Sequence, residues 1–177
     1  MVTTAFVQFI LDQFPMKPQG IHGIFHWARV YENGRRLAAE TGARLDVIEY
    51  FALLHDSRRK NDWGDHKHGP RAAAFITGLR EQWIDLDDVG FSSLVQAVKG
   101  HTNGSCDADV TVQTCWDADR LDLKRVGISP IPSRLCTPPA REPATIQWAS
   151  ERASHHWIAE ATLEAWGINW RELTGNE

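Results

Sequence analysis

The segment YFALLHDSRR, residues 50–59, places a His–Asp doublet at the end of an apolar run. Ile48 and Phe51 recur at the spacing of one face of an α-helix, and His55 falls on that same face one turn after Phe51. The pattern predicts a helix whose apolar stripe carries the imidazole of His55 into the core. A buried polar group is costly unless it finds a partner. His55 and its neighbour Asp56 therefore indicate a cation held at the end of this helix.

The rest of the chain reads as helices joined by polar loops. Apolar residues recur every three to four positions, and prolines and glycines mark the ends of the segments. We expect an all-α fold, a compact bundle of about six to seven helices. VTVQT is the one serious strand candidate. The predicted helices lie at about residues 3–14, 22–41, from 45, from 70, 87–101, 109–125 and 143–166.

The segment SPIPSRLCTPPAREP, residues 129–143, contains five prolines. Proline lacks the backbone N–H that helices and sheets need, so the segment is not expected to form regular structure. We predict an ordered loop against the body of the protein, or a lid.

Composition and charge exclude several classes of protein. The 177 residues are 42% hydrophobic and 24% charged, which favours a single domain over residues 1–177. The net charge of −4 argues against a long nucleic acid as partner, because such a ligand needs a basic face. No apolar run is long enough to span a membrane, and the start of the chain lacks the features of an export signal. We therefore expect a cytoplasmic protein without membrane contact.

Three cysteines are present, an odd number, and they are widely spaced: Cys106, Cys115 and Cys136. This usage predicts reduced thiols rather than a disulfide framework or a zinc site.

Other histidines and acidic residues could share a site with His55. His101 also follows an apolar stripe at the end of a predicted helix, and His22 and His26 lie four residues apart on one helix face. Asp117 lies one turn before a leucine of its helix, so it is expected to point toward the core, where a carboxylate needs a cation or a donor.

A single histidine in a helix is more often a hydrogen-bonded structural residue than a ligand. We interpret His155 and His156 in that way. His66 and His68, in the loop GDHKHGP, are left open as ligands, substrate contacts or solvated side chains.

The order of these elements resembles the HD superfamily of metal-dependent phosphohydrolases, which is named after its His–Asp doublet. Such proteins typically show H-x-x-x-H-x-x-R-V, then A-x-L-L-H-D, then D-A-D-[RK]-L-D, and all three occur within about residues 20–125. Residues 128–177 match no motif and could complete the pocket, cover it or mediate dimerisation. The segments that carry the resemblance are GIHGIFHWARV (20–30), YFALLHDSRR (50–59), AVKGHTNG (97–104) and CWDADRLD (115–122).

The resemblance implies a metal ion in a helical bundle. Its implied protein ligands are His26, His55, Asp56 and Asp117. Its implied pocket lining includes His22 and His101. In the family, an apolar residue, Gly and Lys often follow the doublet, whereas Ser57, Arg58 and Arg59 follow here. Arg59 at the lysine position could bind phosphate through its two-pronged guanidinium, or lie in a solvated loop.

Two imidazoles and two carboxylates suit Mn²⁺, Fe²⁺, Co²⁺, Ni²⁺ or Zn²⁺, with Mg²⁺ less natural but possible. We expect a hydrolase in which a metal-activated water attacks the phosphorus of a nucleotide or another small phosphate ester. The residues expected to bind substrate are His22, Arg59, His68 and His101. Of these, His101 and Arg59 are also catalytic candidates for stabilising charge, and Asp56 and Asp119 are the candidates for proton transfer.

Three other functions stay open. A di-iron oxygenase on the same fold could use His66, His68 and His101 to bind a second ion. A sensor module could bind a metal and a nucleotide without turnover, and an all-α structural protein could simply pack its histidines. The sequence also leaves self-association into a homo-oligomer open.

Overall fold

A computed structural model describes residues 2–103 and 105–175, and within these residues the regular structure is entirely helical. The all-α prediction is confirmed, although there are more helices than the six to seven expected. The ten α-helices are α1 (Thr4–Asp12), α2 (Ile24–Thr41), α3 (Leu45–Leu54), α4 (His68–Trp83), α5 (Asp88–Gly100), α6 (Val110–Leu121), α7 (Pro138–Arg141), α8 (Pro143–Ser154), α9 (Glu160–Ala165) and α10 (Trp170–Thr174).

Local sequence sets several of the helix ends. The side chains of Thr3, Asp87 and Asp109 accept hydrogen bonds from backbone N–H groups in the first turns of α1, α5 and α6. Such side-chain caps satisfy donors that have no partner inside the helix. At the other end of α2, Gly42 adopts a left-handed backbone with φ of 71°, which glycine accepts without steric cost.

The long helix α2 packs along both α3 and α6 at the centre of the molecule. A Cβ on Gly34 would lie 2.4 Å from Cγ2 of Ile48 and 3.5 Å from Cβ of Ala118, so this glycine lets the three helices approach closely. The close packing brings His26 of α2 beside the carboxyl-terminal end of α3, where the His–Asp doublet lies.

A second close approach joins α4 to α5. A Cβ on Gly69 would lie 2.8 Å from the carbonyl oxygen of Val98, so the start of α4 rests on the last turn of α5. This contact places His68, the first residue of α4, beside His101, which follows the last residue of α5.

Three predicted elements are corrected. VTVQT lies in α6 and is helical, because Asp109 caps that helix at its start. The helix predicted to run to residue 125 ends at Leu121, and a 3-10 helix follows over Asp122–Val126. The helix predicted at 143–166 is interrupted at His156, whose left-handed φ of 49° turns the chain between α8 and α9.

The five-proline segment also contains more regular structure than predicted. It forms a 3-10 turn at Pro132–Arg134 and the short helix α7, and α8 begins at Pro143. Proline is tolerated in a first helical turn because the N–H groups of that turn have no helical partner. The prolines therefore begin short helices here.

The cysteine prediction is wrong for two of the three thiols. Cys106 and Cys136 form a disulfide that ties the five-proline segment to the loop after α5. Cys115 is free and buried in α6. The pairing was hidden from the sequence because 30 positions separate the two residues. None of the helices in the described part of the chain is long and apolar enough to cross a membrane.

Candidate metal centre

Six buried or nearly buried side chains from five helices or helix ends meet at one point below the surface. They are His26 of α2, His55 and Asp56 just after α3, His68 at the start of α4, His101 just after α5 and Asp119 of α6. Every one of these residues except Asp119 is buried, and the side chain of Asp119 is 16% exposed. The helix ends therefore converge. This agrees with the inward positions that the apolar stripes predicted for His55 and His101.

The first group of ligand atoms centres on His26 and His55. Their Nε2 atoms lie 3.1 Å apart. Oδ1 of Asp119 lies 3.4 Å from Nε2 of His26 and 3.7 Å from Nε2 of His55. Oδ2 of Asp56 lies 3.8 Å and 3.9 Å from the same two nitrogens. Two nitrogens and two oxygens thus surround one small space, and His26, His55 and Asp56 satisfy the geometry of a metal-binding group.

A second group shares Asp56 with the first. The Nε2 atoms of His68 and His101 lie 2.7 Å apart. Oδ1 of Asp56 lies 3.0 Å from Nε2 of His68 and 3.8 Å from Nε2 of His101. These three residues also have the geometry of a metal-binding group. One carboxylate therefore faces two clusters of imidazole nitrogens, one with each oxygen.

The other ring nitrogen of each of these four histidines already has an acceptor. A neutral imidazole carries one N–H, so a hydrogen donated from Nδ1 leaves Nε2 with only a lone pair. Histidines that bind metals characteristically donate their other N–H to a carboxylate or a backbone carbonyl. The acceptors are Oδ2 of Asp122 for His26, the carbonyls of Phe51 and Ala52 for His55, that of Asp65 for His68 and that of Val98 for His101.

This arrangement fits a divalent cation. Paired Nε2 lone pairs at 3.1 Å and 2.7 Å repel each other unless a proton or a metal ion lies between or beside them. Oδ1 of Asp56 is buried and has no hydrogen-bond partner among the described residues. A buried acceptor without a donor is costly, and an ion would supply the missing interaction. The donor set contains imidazole and carboxylate, which suits a transition metal.

The pKa values of the ligand side chains are shifted by burial and by the neighbouring ligands. Burial penalises the imidazolium of His55 and lowers its pKa to about 3. Burial alone would raise the pKa of Asp56, but the adjacent His55 ring and the hydrogen bond from His22 hold it well below its usual value. The pKa of Asp119 is lowered as well, since the interaction with His26 outweighs burial. Both carboxylates are therefore ionised at neutral pH, and His55 is neutral.

His101 differs from His55 in its protonation. Burial alone would lower its pKa, but the nearby carboxylates of Asp56 and Asp119 raise the pKa above the usual value. Nδ1 of His101 already donates to Val98, so the additional proton would lie on Nε2. A metal ion would compete with this proton for the same lone pair.

The structure corrects the expectation that Asp117 joins the ligands. Its Oδ1 accepts the backbone N–H of Cys136 at 2.7 Å, and its Oδ2 accepts the backbone N–H and the hydroxyl of Thr137 at 2.7 and 2.8 Å. Asp117 is fully buried, but it anchors the five-proline segment. Asp119, two residues further along α6, faces the histidines in its place.

Asp122 and Arg29 form an outer layer for which the sequence suggested no role. Oδ2 of Asp122 lies 2.7 Å from Nδ1 of His26, and Arg29 donates to Asp122 through Nε at 2.8 Å. Arg29 thereby holds the carboxylate that orients the His26 ring. Both residues belong to the quoted motifs, Arg29 as the R of R-V and Asp122 as the D of L-D. These motif positions could have indicated a role for them.

A cavity of about 570 Å³ opens onto both ligand groups. Its floor includes His22, Asp56, His68, His101 and Asp119. Nδ1 of His22 lies 2.9 Å from Oδ2 of Asp56, and burial lowers the pKa of His22. The predicted pocket residues His22, Arg59, His68 and His101 therefore all line one cavity. His66 and His155 are exposed and do not line it, and His156 lines a smaller cavity nearby.

Basic side chains stand beside this floor. Nη1 of Arg59 lies 3.6 Å from Oδ1 of Asp56 and 3.3 Å from Nδ1 of His68. Arg125 lines the cavity near His22, with its Nη2 at 3.3 Å from Nδ1 of that ring. Residues of the stretch 128–135 form one wall. The unmatched carboxyl-terminal part of the chain thus completes the pocket.

The fold matches that of a solved protein. The chain is similar to a predicted HD superfamily hydrolase from an uncultured Thermotogales bacterium, with 22% sequence identity over 90% of each chain and a TM-score of 0.63. No family model and no curated protein matches the sequence. The likeness confirms the predicted fold: this chain has an HD-domain fold, and its His and Asp cluster occurs within it.

Proposed function

We propose that this protein is a metal-dependent phosphohydrolase that acts on a nucleotide or another small phosphate ester. The observation that carries the proposal is the convergence of four Nε2 atoms with the carboxylates of Asp56 and Asp119 beside a cavity that arginines border. The composition of this site, with anionic ligands below and guanidinium groups beside it, suits a metal ion and a phosphate together.

His26, His55, Asp56 and Asp119 would hold the first ion, and Asp56, His68 and His101 a second. Mn²⁺, Fe²⁺, Co²⁺, Ni²⁺ and Zn²⁺ suit these ligands. When bound, the ion supplies Lewis acidity and lowers the pKa of water. If only the first group is filled, His68 and His101 remain free to stabilise charge on the phosphate.

The chain's own residues supply the rest of the proposed chemistry. Arg59 and Arg125 lie on the cavity side of the cluster and would bind the phosphate oxygens. Asp119 lines the cavity beside the ligands and would accept a proton from the attacking water. Water would add its oxygen to phosphorus as the ester P–O bond breaks, and the leaving oxygen would take the proton that Asp119 received from the water, so that an alcohol departs.

The test combines metal analysis with a phosphate-release screen. We expect purified protein to contain a transition metal, and nucleotides and small phosphate esters to release phosphate with Mn²⁺ or Co²⁺. His55→Ala and Asp56→Ala should lose both the metal and the activity, whereas His155→Ala, an exposed histidine away from the cavity, should keep them. Retention of metal and activity in the first two variants would contradict the assignment.

A di-iron oxygenase is the second candidate, and the second ligand group favours it. Asp56 shared between two clusters is an arrangement that could hold two ions. Two irons per chain, with oxygen consumption and without phosphate release, would support this candidate over hydrolysis.

A further inference from the structure

We infer that the substrate of the proposed phosphohydrolase carries an apolar group, aromatic or alkyl, next to its phosphate. The inference rests on the proposed function for the phosphate and narrows the ester to an aryl or alkyl phosphate rather than a nucleotide, whose ribose would lie next to the phosphate. The observation behind it is the distribution of exposed apolar side chains over the described surface.

Nine large apolar side chains are exposed among the described residues, and five of them line the cavity above the metal ligands. Apolar side chains scattered singly over a surface are ordinary, but a cluster around a functional cavity marks a binding surface. The five residues of this apolar rim are Ile21, Trp63, Val126, Ile128 and Ile131.

The apolar rim is assembled from three separate parts of the chain. Ile21 precedes α2, Trp63 lies in the loop after α3, and the other three follow α6. Trp63 is 85% exposed, and Ile128 and Ile131 are each more than half exposed. Separate segments that each present an apolar side chain to one opening leave a surface that an apolar ligand would cover.

The backbone around the apolar rim is held in place. Arg59 donates through Nη2 to the carbonyl oxygen of Trp63 at 2.8 Å, and the N–H of Trp63 donates to Asn61 at 2.9 Å. The N–H of Ile128 donates to the carbonyl of Leu123 at 3.2 Å. A rim fixed in this way loses little conformational freedom on binding, so more of the apolar contact appears as affinity.

The position of the apolar rim defines the shape of the ligand. The cavity of about 570 Å³ has the size of a small-molecule site, with the metal ligands at its floor and the apolar rim toward solvent. Arg59 connects the floor of the cavity with the apolar rim, because its Nη1 faces Asp56 and its Nη2 donates to the carbonyl oxygen of Trp63. A ligand with an anionic end below and an apolar body above satisfies both, whereas a polyhydroxylated sugar phosphate leaves the rim uncovered.

The experiment compares two phosphonates whose C–P bonds resist hydrolysis. Isothermal titration of Mn²⁺-loaded protein with methylphosphonate and phenylphosphonate, at a pH where both are dianions, measures the effect of the apolar group on binding alone. We expect phenylphosphonate to bind about tenfold or more tightly, since this is the effect of burying part of an aromatic ring.

Variants assign the difference to the apolar rim. Trp63→Ala and Ile128→Ser should reduce the ratio of the two affinities by about threefold or more, because each removes apolar contact area. The matched control is Val89→Ser, which changes a side chain that is 72% exposed on α5 and does not line the cavity. The control should leave both affinities unchanged.

Equal affinities for the two phosphonates, or a loss of the ratio in Val89→Ser as large as in Ile128→Ser, would overturn the inference while the proposed hydrolysis stands. If neither phosphonate binds to metal-loaded protein, and no ester in the phosphate-release screen is hydrolysed, both the inference and the proposed function are wrong.

Discussion

The Nε2 atoms of His26 and His55 lie 3.1 Å apart, although each ring donates its hydrogen from Nδ1 to another acceptor. Two facing lone pairs at this distance require a cation. The Nε2 atoms of His68 and His101 lie 2.7 Å apart, where a proton on His101 or a metal ion would supply the positive charge. The pairs lie on either side of the Asp56 carboxylate, which faces the first pair with Oδ2 and the second with Oδ1.

Asp117 and Asp119 should respond differently to the same substitution. Asp119→Asn removes a carboxylate that lies 3.4 Å from Nε2 of His26 and should weaken metal binding by more than about tenfold, with little change in the melting temperature of the metal-free protein. Asp117→Asn should retain metal but lose about 1–3 kcal/mol of unfolding free energy, because an amide N–H would face backbone donors. Elemental analysis and denaturant unfolding measure the two effects, and a reversed pattern would restore Asp117 as the ligand.

Asp122 should act through the orientation of His26. In Asp122→Asn the acceptor for Nδ1 of His26 and for Arg29 is weakened, so the ring loses its fixed tautomer. We expect metal affinity to fall by about tenfold to a hundredfold, as for other outer partners of metal-bound histidines. Competition with a chromogenic chelator measures the affinity. Asp85→Asn, on the loop between α4 and α5 and away from the cavity, is a control that should leave it unchanged.

The metal-free protein should lose stability in acid through His55. Its pKa is 6.5 when unfolded and about 3 when folded, so below pH 6.5 the unfolded chain binds a proton that the folded chain excludes. This contribution to stability is complete above pH 6.5 and is lost as the pH falls toward 3. Between pH 6 and 5 the free energy of unfolding should fall about 1 kcal/mol per pH unit more steeply in the wild-type protein than in His55→Gln. The raised pKa of His101 acts in the opposite direction, but it is present in both proteins. Parallel slopes in denaturant titrations would contradict the neutral, buried imidazole.

Thiol titration should distinguish the three cysteines. Burial raises the pKa of the Cys115 thiol well above its usual value, so native protein should not react with an aromatic disulfide reagent at neutral pH. Unfolded but unreduced protein should show one thiol, because Cys106 and Cys136 are joined, and reduction should raise the number to three. Three thiols in unfolded protein without reductant would instead support the expectation drawn from the sequence.

Gly69 and Gly78 form a matched pair within α4. A Cβ at Gly69 would lie 2.8 Å from the carbonyl oxygen of Val98, whereas a Cβ at Gly78 would meet nothing within 4 Å. Gly69→Ala should force α4 from α5, lower stability by about 1–3 kcal/mol and reduce metal binding at His68 and His101. Gly78→Ala should raise stability by about 0.5–1 kcal/mol, because alanine is the better helix former. Thermal unfolding and metal stoichiometry of the two variants test the contact.

Much of the site could be predicted from helical periodicity because it lies where apolar stripes end. His55 follows such a stripe in α3, and the structure buries it completely beside His26. His101 follows a second stripe at the end of α5 and lines the same cavity. Both positions depend on contacts within one or two helical turns, which the sequence contains in full. The helix bounds failed mainly in the last third, where His156 turns the chain through a left-handed conformation.

Periodicity could not choose between Asp117 and Asp119. The two residues lie roughly 200° apart around α6, so they point in nearly opposite directions. Nearly every residue of this helix is buried, so no solvent-exposed face marks which direction leads to the histidines. The choice depends on the contacts of α6 with α2 on one side and with the five-proline segment on the other.

The helical class, the inward direction of His55 and His101, and the residues of the His–Asp motifs could be predicted from the sequence, because they follow from spacing along single helices. The packing of the helices was needed to show that Asp119 faces His26, that His68 joins His101, that Cys106 pairs with Cys136 and that an apolar rim surrounds the cavity. These features join segments that are far apart in the chain, and their distances are set by helix packing. Local spacing carries no information about such contacts.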